Sequence, residues 1–385
     1  MRKTLLAAAL LASLSACQKS EAPTPATGAD TAATATDPAK ADAAFADLST
    51  RALEGWLQLS PVGATQIGEH KYDGELDDLS AAGRQKGLEF SKKILAELDA
   101  TDIAALSREN QVDAAILRNQ LQYDIWTAGT LQSWAWDPQV YNNVAGGAIY
   151  GLMAREFAPL PDRLKSATAR MQKIPALLAQ ARENLDPARV PKVHAETVAK
   201  QNAGILSIVD TFITPHLKDL PEADRAQADA AIDGLKKAVA EHQAWLDKTL
   251  VPNAKGDFRI GQTLYDQKLQ FALLSSLSRA DIKQRAEGEL KRVREEMYGI
   301  ARTVLKDKPG APALPETPTA DEQQKAIEAA LELAYAERPA RDKVVPDAEA
   351  ALAQATEFGR KHDLVSLPDA PVEIKEMPEV QRGVA

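Results

Sequence analysis

Cysteine occurs once in the chain, at Cys17, and histidine five times. A single cysteine excludes an internal disulfide and a thiolate metal cluster. Few histidines leave little material for a metal site. None of His70, His194, His216, His242 and His362 stands in an H-E-x-x-H pattern, so the local zinc-peptidase signature is missing. No G-x-S-x-G elbow and no G-x-x-x-x-G-K loop occur, which removes the usual serine-hydrolase and nucleotide-phosphate signals. Basic residues are outnumbered, with a net charge of −9 and no basic run. Nucleic acid is therefore not an expected partner.

What the chain does have begins at its start. "MRKTLLAAALLASLSAC" places Arg2 and Lys3 before an apolar stretch from Leu5 to Leu14. That stretch is too short to span a bilayer and reads as a secretory signal, residues 1–16. Leu14-Ser15-Ala16-Cys17 fits the bacterial lipobox, which makes Cys17 the expected lipid attachment site. Several acyl chains on one residue exceed the single-chain limit for stable anchoring. Gln18 stands where an aspartate would favour inner-membrane retention. The expected location is therefore the outer membrane, facing the periplasm, with the lipid held through Cys17. Residues 17–40 are rich in Ala, Thr and Pro and cannot bury enough surface to fold, so they read as a tether. Loss of Arg2 and Lys3 with the signal moves the net charge to −11.

The body, 41–385, is expected to be mainly α: a multi-helix, bundle-like domain with one C-terminal strand. Phe45, Leu48, Leu53, Trp56 and Leu57 share a helical face that stops before Pro61. Val112, Ile116, Leu117, Leu121 and Ile125 repeat the pattern. Leu164, Ala167, Met171 and Ile174 start another helix, with Pro175 a break or kink. Val198, Ile205, Ile208, Val209 and Phe212 read as one helix ending near Pro215. The next carries Ile232, Leu235, Val239, His242 and Leu246. Ser278 and Asp281 mark the start of the longest helix, whose stripe Ile282, Ala286, Leu290, Val293, Met297, Ile300 and Val304 predicts a buried face over six turns. Thr319 and Glu322 form a capping box, and a last helix runs from about Pro346 to Arg360. Residues 60–80 and 134–153, rich in Gly, Pro, Asp and aromatics, read as ordered irregular segments of the kind that lie over clefts. After Pro371, Val372, Ile374 and Glu376–Met377 alternate as a strand would.

Each histidine has a structural reading. His242 is expected as a buried, hydrogen-bonded core residue. His194, beside Glu196, reads as a solvated helix start, His216 as a helix-end cap, and His362 as exposed. His70, near Tyr72 and Asp73, is expected to be hydrogen-bonded in its loop. The paired acids Asp77-Asp78 and Glu295-Glu296 read as solvated surface. On residues alone no catalytic or metal-binding side chain can be assigned.

Four stretches carry a resemblance: "SPVGATQIGEHKYDGELDDLS", "GAIYGLMAREFAPLPDRLKSATARM", "IGQTLYDQKLQFALLSSLSRADIKQRAEGEL" and "DLVSLPDAPVEIKEMPEVQRGVA". In this order they resemble the bacterial domain-of-unknown-function 885 family, whose members are often secreted lipoproteins. The resemblance implies a helical zinc metallopeptidase of the gluzincin kind, with an H-E-x-x-P-G-H helix downstream of the last stretch. It implies zinc and peptide hydrolysis for the complete domain. It transfers no catalytic or metal residue, and hence no cofactor, to this chain. The lone strand would then open a small sheet that is cut off. The expectation is an incomplete N-terminal portion without activity of its own. The alternative is a lipoprotein that binds peptides, or shapes the envelope, without chemistry.

Overall fold

The computed structural model describes residues 38–374. The signal 1–16, Cys17, the expected tether as far as residue 37 and the Glu376–Met377 part of the expected strand lie outside the described residues; the last three residues assigned to the tether, 38–40, are instead the first turn of a helix.

The fold is helical throughout. In chain order the helices are α1 (Pro38–Leu59), α2 (Pro61–Gln66), α3 (Ala81–Asp99), α4 (Arg108–Trp126), α5 (Ser133–Trp136) and α6 (Gln139–Met153). There follow α7 (Leu160–Asn184), α8 (Lys192–Gln201), α9 (Gly204–Phe212), α10 (Glu222–Trp245) and α11 (Val251–Asn253). The last four are α12 (Gln262–Leu273), α13 (Arg279–Leu305), α14 (Ala320–Tyr335) and α15 (Val344–Lys361). Among the described residues there is no strand; Val372 and Ile374 lie in irregular chain, and an isolated bridge joins Pro191 and Gly256. No helix of the described residues is long and apolar enough to cross a membrane.

The main core lies between α6, α7, α9 and α10. Leu164, Ala167, Met171 and Ile174 of α7 meet Ile232, Leu235 and Val239 of α10, all of them buried. The α7 helix runs on through Pro175, because packing on both flanks holds the turn whose hydrogen bond the proline cannot make. A second cluster joins α1, α3 and α4 through Phe45, Leu48, Ile94, Leu98 and Leu121. Ser80 and Ser107 accept hydrogen bonds from Gly83 N (3.1 Å) and Asn110 N (3.4 Å), fixing the starts of α3 and α4.

Several expectations are corrected. The segment 134–153 is not irregular: it forms most of α5 and all of α6, and 60–80 contributes α2 before its turn. Tyr141, Ala145, Ala148, Ile149 and Leu152 make a buried helical stripe, and burying it outweighs the poor propensity of the Asn and Gly residues between. The expected single helix 198–212 is two. Between them Asn202 is buried and its amide donates to Val239 O (3.1 Å) and Gln243 Oε1 (3.0 Å), pinning the break to α10. On α4 the buried face is Ala114 and Leu121, while Val112 and Ile116 are exposed; on α1 Trp56 is exposed as well.

The largest correction concerns α13. Its capping box forms, with Ser278 Oγ accepting from Asp281 N at 3.1 Å and Asp281 accepting from Ser278 N at 3.0 Å. Its stripe is nevertheless not buried: Leu290 is 60% and Ile300 57% exposed. The helix buries Tyr298, Ala301 and Leu305 instead, against α14. Periodicity reports that a face is apolar; it does not supply the partner that covers it.

The connection to this C-terminal hairpin passes through α12. Trp126 Nε1 donates to Gln267 Oε1 at 2.7 Å, Asn119 donates to Phe271 O at 3.0 Å, and Phe271 packs on Trp126 and Tyr123. At Gly256 the chain passes so close to its neighbour that a Cβ would lie 1.9 Å from Arg189 O, so no other residue fits there.

His242 is buried as expected, stacked on Trp245, but its Nδ1 has no hydrogen-bond partner. Burial pushes its pKa down to about 4, helped by nearby Arg182. The folded state therefore keeps it neutral where the unfolded chain, titrating near 6.5, would protonate it. The resulting stability is present above pH 6.5 and is lost as pH falls from there toward 4. Between pH 7.5 and 5 this one group should remove about 2 kcal/mol. Urea unfolding of the wild type and of His242→Gln at both pH values measures it; an equal decline in both proteins would refute the neutral, buried assignment.

Candidate functional site

Helix α6 has two unlike faces. The stripe above enters the core. On the other side Gln139, Asn142, Asn143, Gly146, Gly147, Tyr150 and Gly151 follow one another at steps of three and four. This face forms the floor of a cleft of about 430 Å³. One wall is the end of α2, with Thr65 and Gln66; the other is Gln201 of α8 and Ile208 of α9; Ala154 and Arg155 close one end. The volume falls in the ordinary range for ligand sites.

Five side-chain amides line this space, from Gln66, Gln139, Asn142, Asn143 and Gln201. Each offers donors and an acceptor. Asn142 Nδ2 reaches Gln201 Oε1 at only 3.5 Å, so these groups are weakly committed to each other. The glycines give the floor its depth. A Cβ at Gly147 would stand 3.3 Å from Val62 Cγ1 and 3.4 Å from Gln66 Nε2, so α2 can lie this close because nothing projects there. Among the described residues Arg155 is the only charged one lining the cleft. Its Nη1 donates to Gln66 O at 3.4 Å.

The α2 wall is fixed from behind by Arg170, which has no solvent exposure. Its Nε donates to Glu75 O (2.9 Å), Nη1 to Ala148 O (3.0 Å), and Nη2 to Pro61 O (3.0 Å) and Thr65 Oγ1 (2.7 Å). Tyr72 O lies at 3.5 Å and Asp73 Oδ1 at 4.0 Å. Burial lowers the Arg170 pKa, and Asp73, Asp77 and Glu75 oppose that shift. Thr65 in turn donates to Asp73 Oδ1 at 2.6 Å. The carboxylate of Asp73 is shared with His70, whose Nδ1 lies 2.9 Å from Oδ2 while its ring stacks on Phe157 at 3.6 Å. His70 is thus hydrogen-bonded in its loop, as expected, and tied to the cleft wall through one carboxylate.

Asp77 is a correction. It is half-buried and accepts from Val62 N (3.0 Å) and Ser60 Oγ (2.9 Å), capping α2. Burial raises its pKa against the pull of those donors. Asp78, Glu295 and Glu296 are exposed, in line with the surface reading. His194 is half-buried rather than solvated, 3.6 Å from Asp137 and beside Trp136. His216 is half-buried in the short 3₁₀ turn after α9, and His362 is exposed against Phe358. The histidines lie in separate neighbourhoods. Among the described residues no three His, Cys, Asp or Glu side chains come together as a metal would require. The zinc implied by the resemblance therefore has no ligand set in the described part of the chain.

Sequence reasoning missed the cleft amides, Arg155 and Arg170. A signal existed for the first: Asn142-Asn143, Gly146-Gly147 and Tyr150-Gly151 recur at helical spacing opposite the apolar stripe. Arg170 lies within the run Ala167, Met171, Ile174, where a charge needs an internal partner.

A family profile, described as a bacterial protein of unknown function, DUF885, matches residues 61–385. The chain is also similar to a solved structure from Shewanella oneidensis, provisionally described as a lipoprotein of unknown function, at 31% identity and a TM-score of 0.69. That likeness covers 87% of this chain and 61% of the other, so the chain spans less than two thirds of its relative's length. None of the curated proteins matches.

Removing the guanidinium at 170 would leave Glu75 O without its donor and strip the cross-links from α7 to Pro61 O and Ala148 O. Arg170→Met should cost about 3–5 kcal/mol. It should also raise amide hydrogen exchange in 67–80 far more than in α10. Exchange that rises equally in both regions would show that Arg170 does not specifically hold the loop.

Proposed function

The chain belongs to the bacterial DUF885 family, and from that premise we propose that it is the ligand-binding helical part of an envelope lipoprotein whose complete form hydrolyses peptides. The amide-lined cleft along α6 carries this reading. Each peptide unit presents one N–H and one C=O, and a carboxamide side chain presents the complements of both. Five such groups around a cleft of about 430 Å³ suit main-chain recognition of a short extended peptide. A floor of glycines admits the ligand backbone without contacting bulky side chains.

In this reading the chain binds and does not cut. Hydrolysis is assigned in this proposal to the zinc-binding helix that the resemblance implies for the complete family domain. The open stripe of α13 supports the view that further polypeptide covers it in the complete fold, as does the extra length of the Shewanella oneidensis relative. A purely structural envelope role accounts for the helices but leaves the polar face of α6 without a use.

Calorimetric titration with a pool of mixed tetrapeptides, followed by mass spectrometry of the products, tests the proposal. Binding without cleavage is expected, and Asn142→Leu or Gly146→Leu should weaken it at least tenfold. Peptides that do not bind, or binding indifferent to both substitutions, would overturn it. The anchor is tested separately: Cys17→Ser should abolish fatty-acid labelling and release the protein from the outer-membrane fraction. Labelling that persists would place the lipid elsewhere.

A further inference from the structure

Arg155 differs from the arginines held in ion pairs, and also from nearby Arg163, which spends its donors on Ala158 O and Met153 O. Arg51, Arg118, Arg279, Arg292 and Arg360 each bond a carboxylate. Arg155 has no carboxylate partner among the described residues, although the chain as a whole is acidic. It stands two residues beyond the last residue of α6, at one end of the cleft, and is exposed. Of its five N–H groups one is used, in the long contact to Gln66 O. That contact comes from the last residue of α2, so the side chain reaches across the cleft mouth rather than folding back onto α6. A cation serving only the α6 dipole would be expected to stay over that helix's own last carbonyls. The remaining donors form the planar fork that matches a carboxylate in bidentate fashion.

No other lining residue among those described carries a charge, so the lining is neutral along its length and positive at one end. A ligand that fits it has an uncharged, amide-rich body and a single terminal anion. Resting on the peptide-binding reading above, we propose that Arg155 receives the free C-terminal carboxylate of a short peptide. The peptide then lies with its C-terminus at Ala154 and its preceding units along Tyr150, Gly147 and Asn143, parallel to α6. The cleft would select peptide ends and reject internal segments of a folded protein or an unbroken chain.

The experiment compares one tetrapeptide pool in three forms: free acid, C-terminal amide, and C-terminal amide with a glutamate inside the sequence. Titrations use the whole chain with Arg155 intact, Arg155→Gln and Arg155→Lys. For the wild type, amidation should weaken binding tenfold or more. Arg155→Gln should weaken the free acid to the level of the amide and leave the amide unchanged, with the melting temperature unaltered. Arg155→Lys should recover part of the loss. Equal binding of acid and amide by the wild type would overturn the proposal while leaving peptide binding in the cleft intact. Restoration by the internal glutamate would overturn it in favour of an acidic side chain. Failure of every form to bind would remove the peptide reading on which it rests.

Discussion

One buried guanidinium organises the functional half of the molecule. Arg170 has no contact with water and gives its donors to carbonyls of Pro61, Glu75 and Ala148 and to the Thr65 hydroxyl. These acceptors come from the first turn of α2, the ordered turn after it, and α6. A charge in that position is tolerable only when its hydrogen bonds are nearly complete. The requirement runs in both directions: the cation needs the carbonyls, and carbonyls not engaged in regular ladders need a donor. The position of α2 over α6, and with it one wall of the cleft, follows from that mutual dependence.

The two faces of α6 show how the same helix serves packing and recognition. Tyr141, Ala145, Ala148, Ile149 and Leu152 hold it in the core. The opposite face is unfavourable for an isolated helix, since Gly and Asn both lower helix propensity. That weakness is offset by the buried stripe, and it leaves amides and bare backbone where a ligand can approach. Conformational cost and ligand access have the same residues as their source.

The parts of the fold that could be read from the sequence were those whose local and tertiary preferences agree. On α10, Ile232, Leu235, Val239 and His242 are all buried at the expected spacing. The capping boxes at Ser278–Asp281 and Thr319–Glu322 form because their geometry is set within one turn. Where long-range packing decides, the pattern fell short. Residues 139–153 look irregular by composition and are helical by burial. Leu290 and Ile300 lie on a sound apolar stripe that no described element covers. Of the site, His70 and its hydrogen bond were legible because Asp73 is three residues away. Arg170 was not, since its acceptors at Pro61 and Ala148 are remote in sequence, and the cleft amides carry no recognisable motif.

The parallel bridge between Pro191 and Gly256 bears on the order in which the chain folds. Its partners are about 65 residues apart, so bringing them together fixes a loop whose closure entropy is on the order of several kcal/mol. Two backbone hydrogen bonds, Gly256 N to Val190 O at 2.9 Å and Lys255 N to Pro187 O at 3.1 Å, cannot by themselves offset that. The bridge can persist only once α7 and α10 have packed and carried the two ends close. It is therefore a late event on the folding route, a latch that closes on a finished core. A side chain at Gly256 would obstruct the latch while leaving the earlier assembly of α7 against α10 untouched.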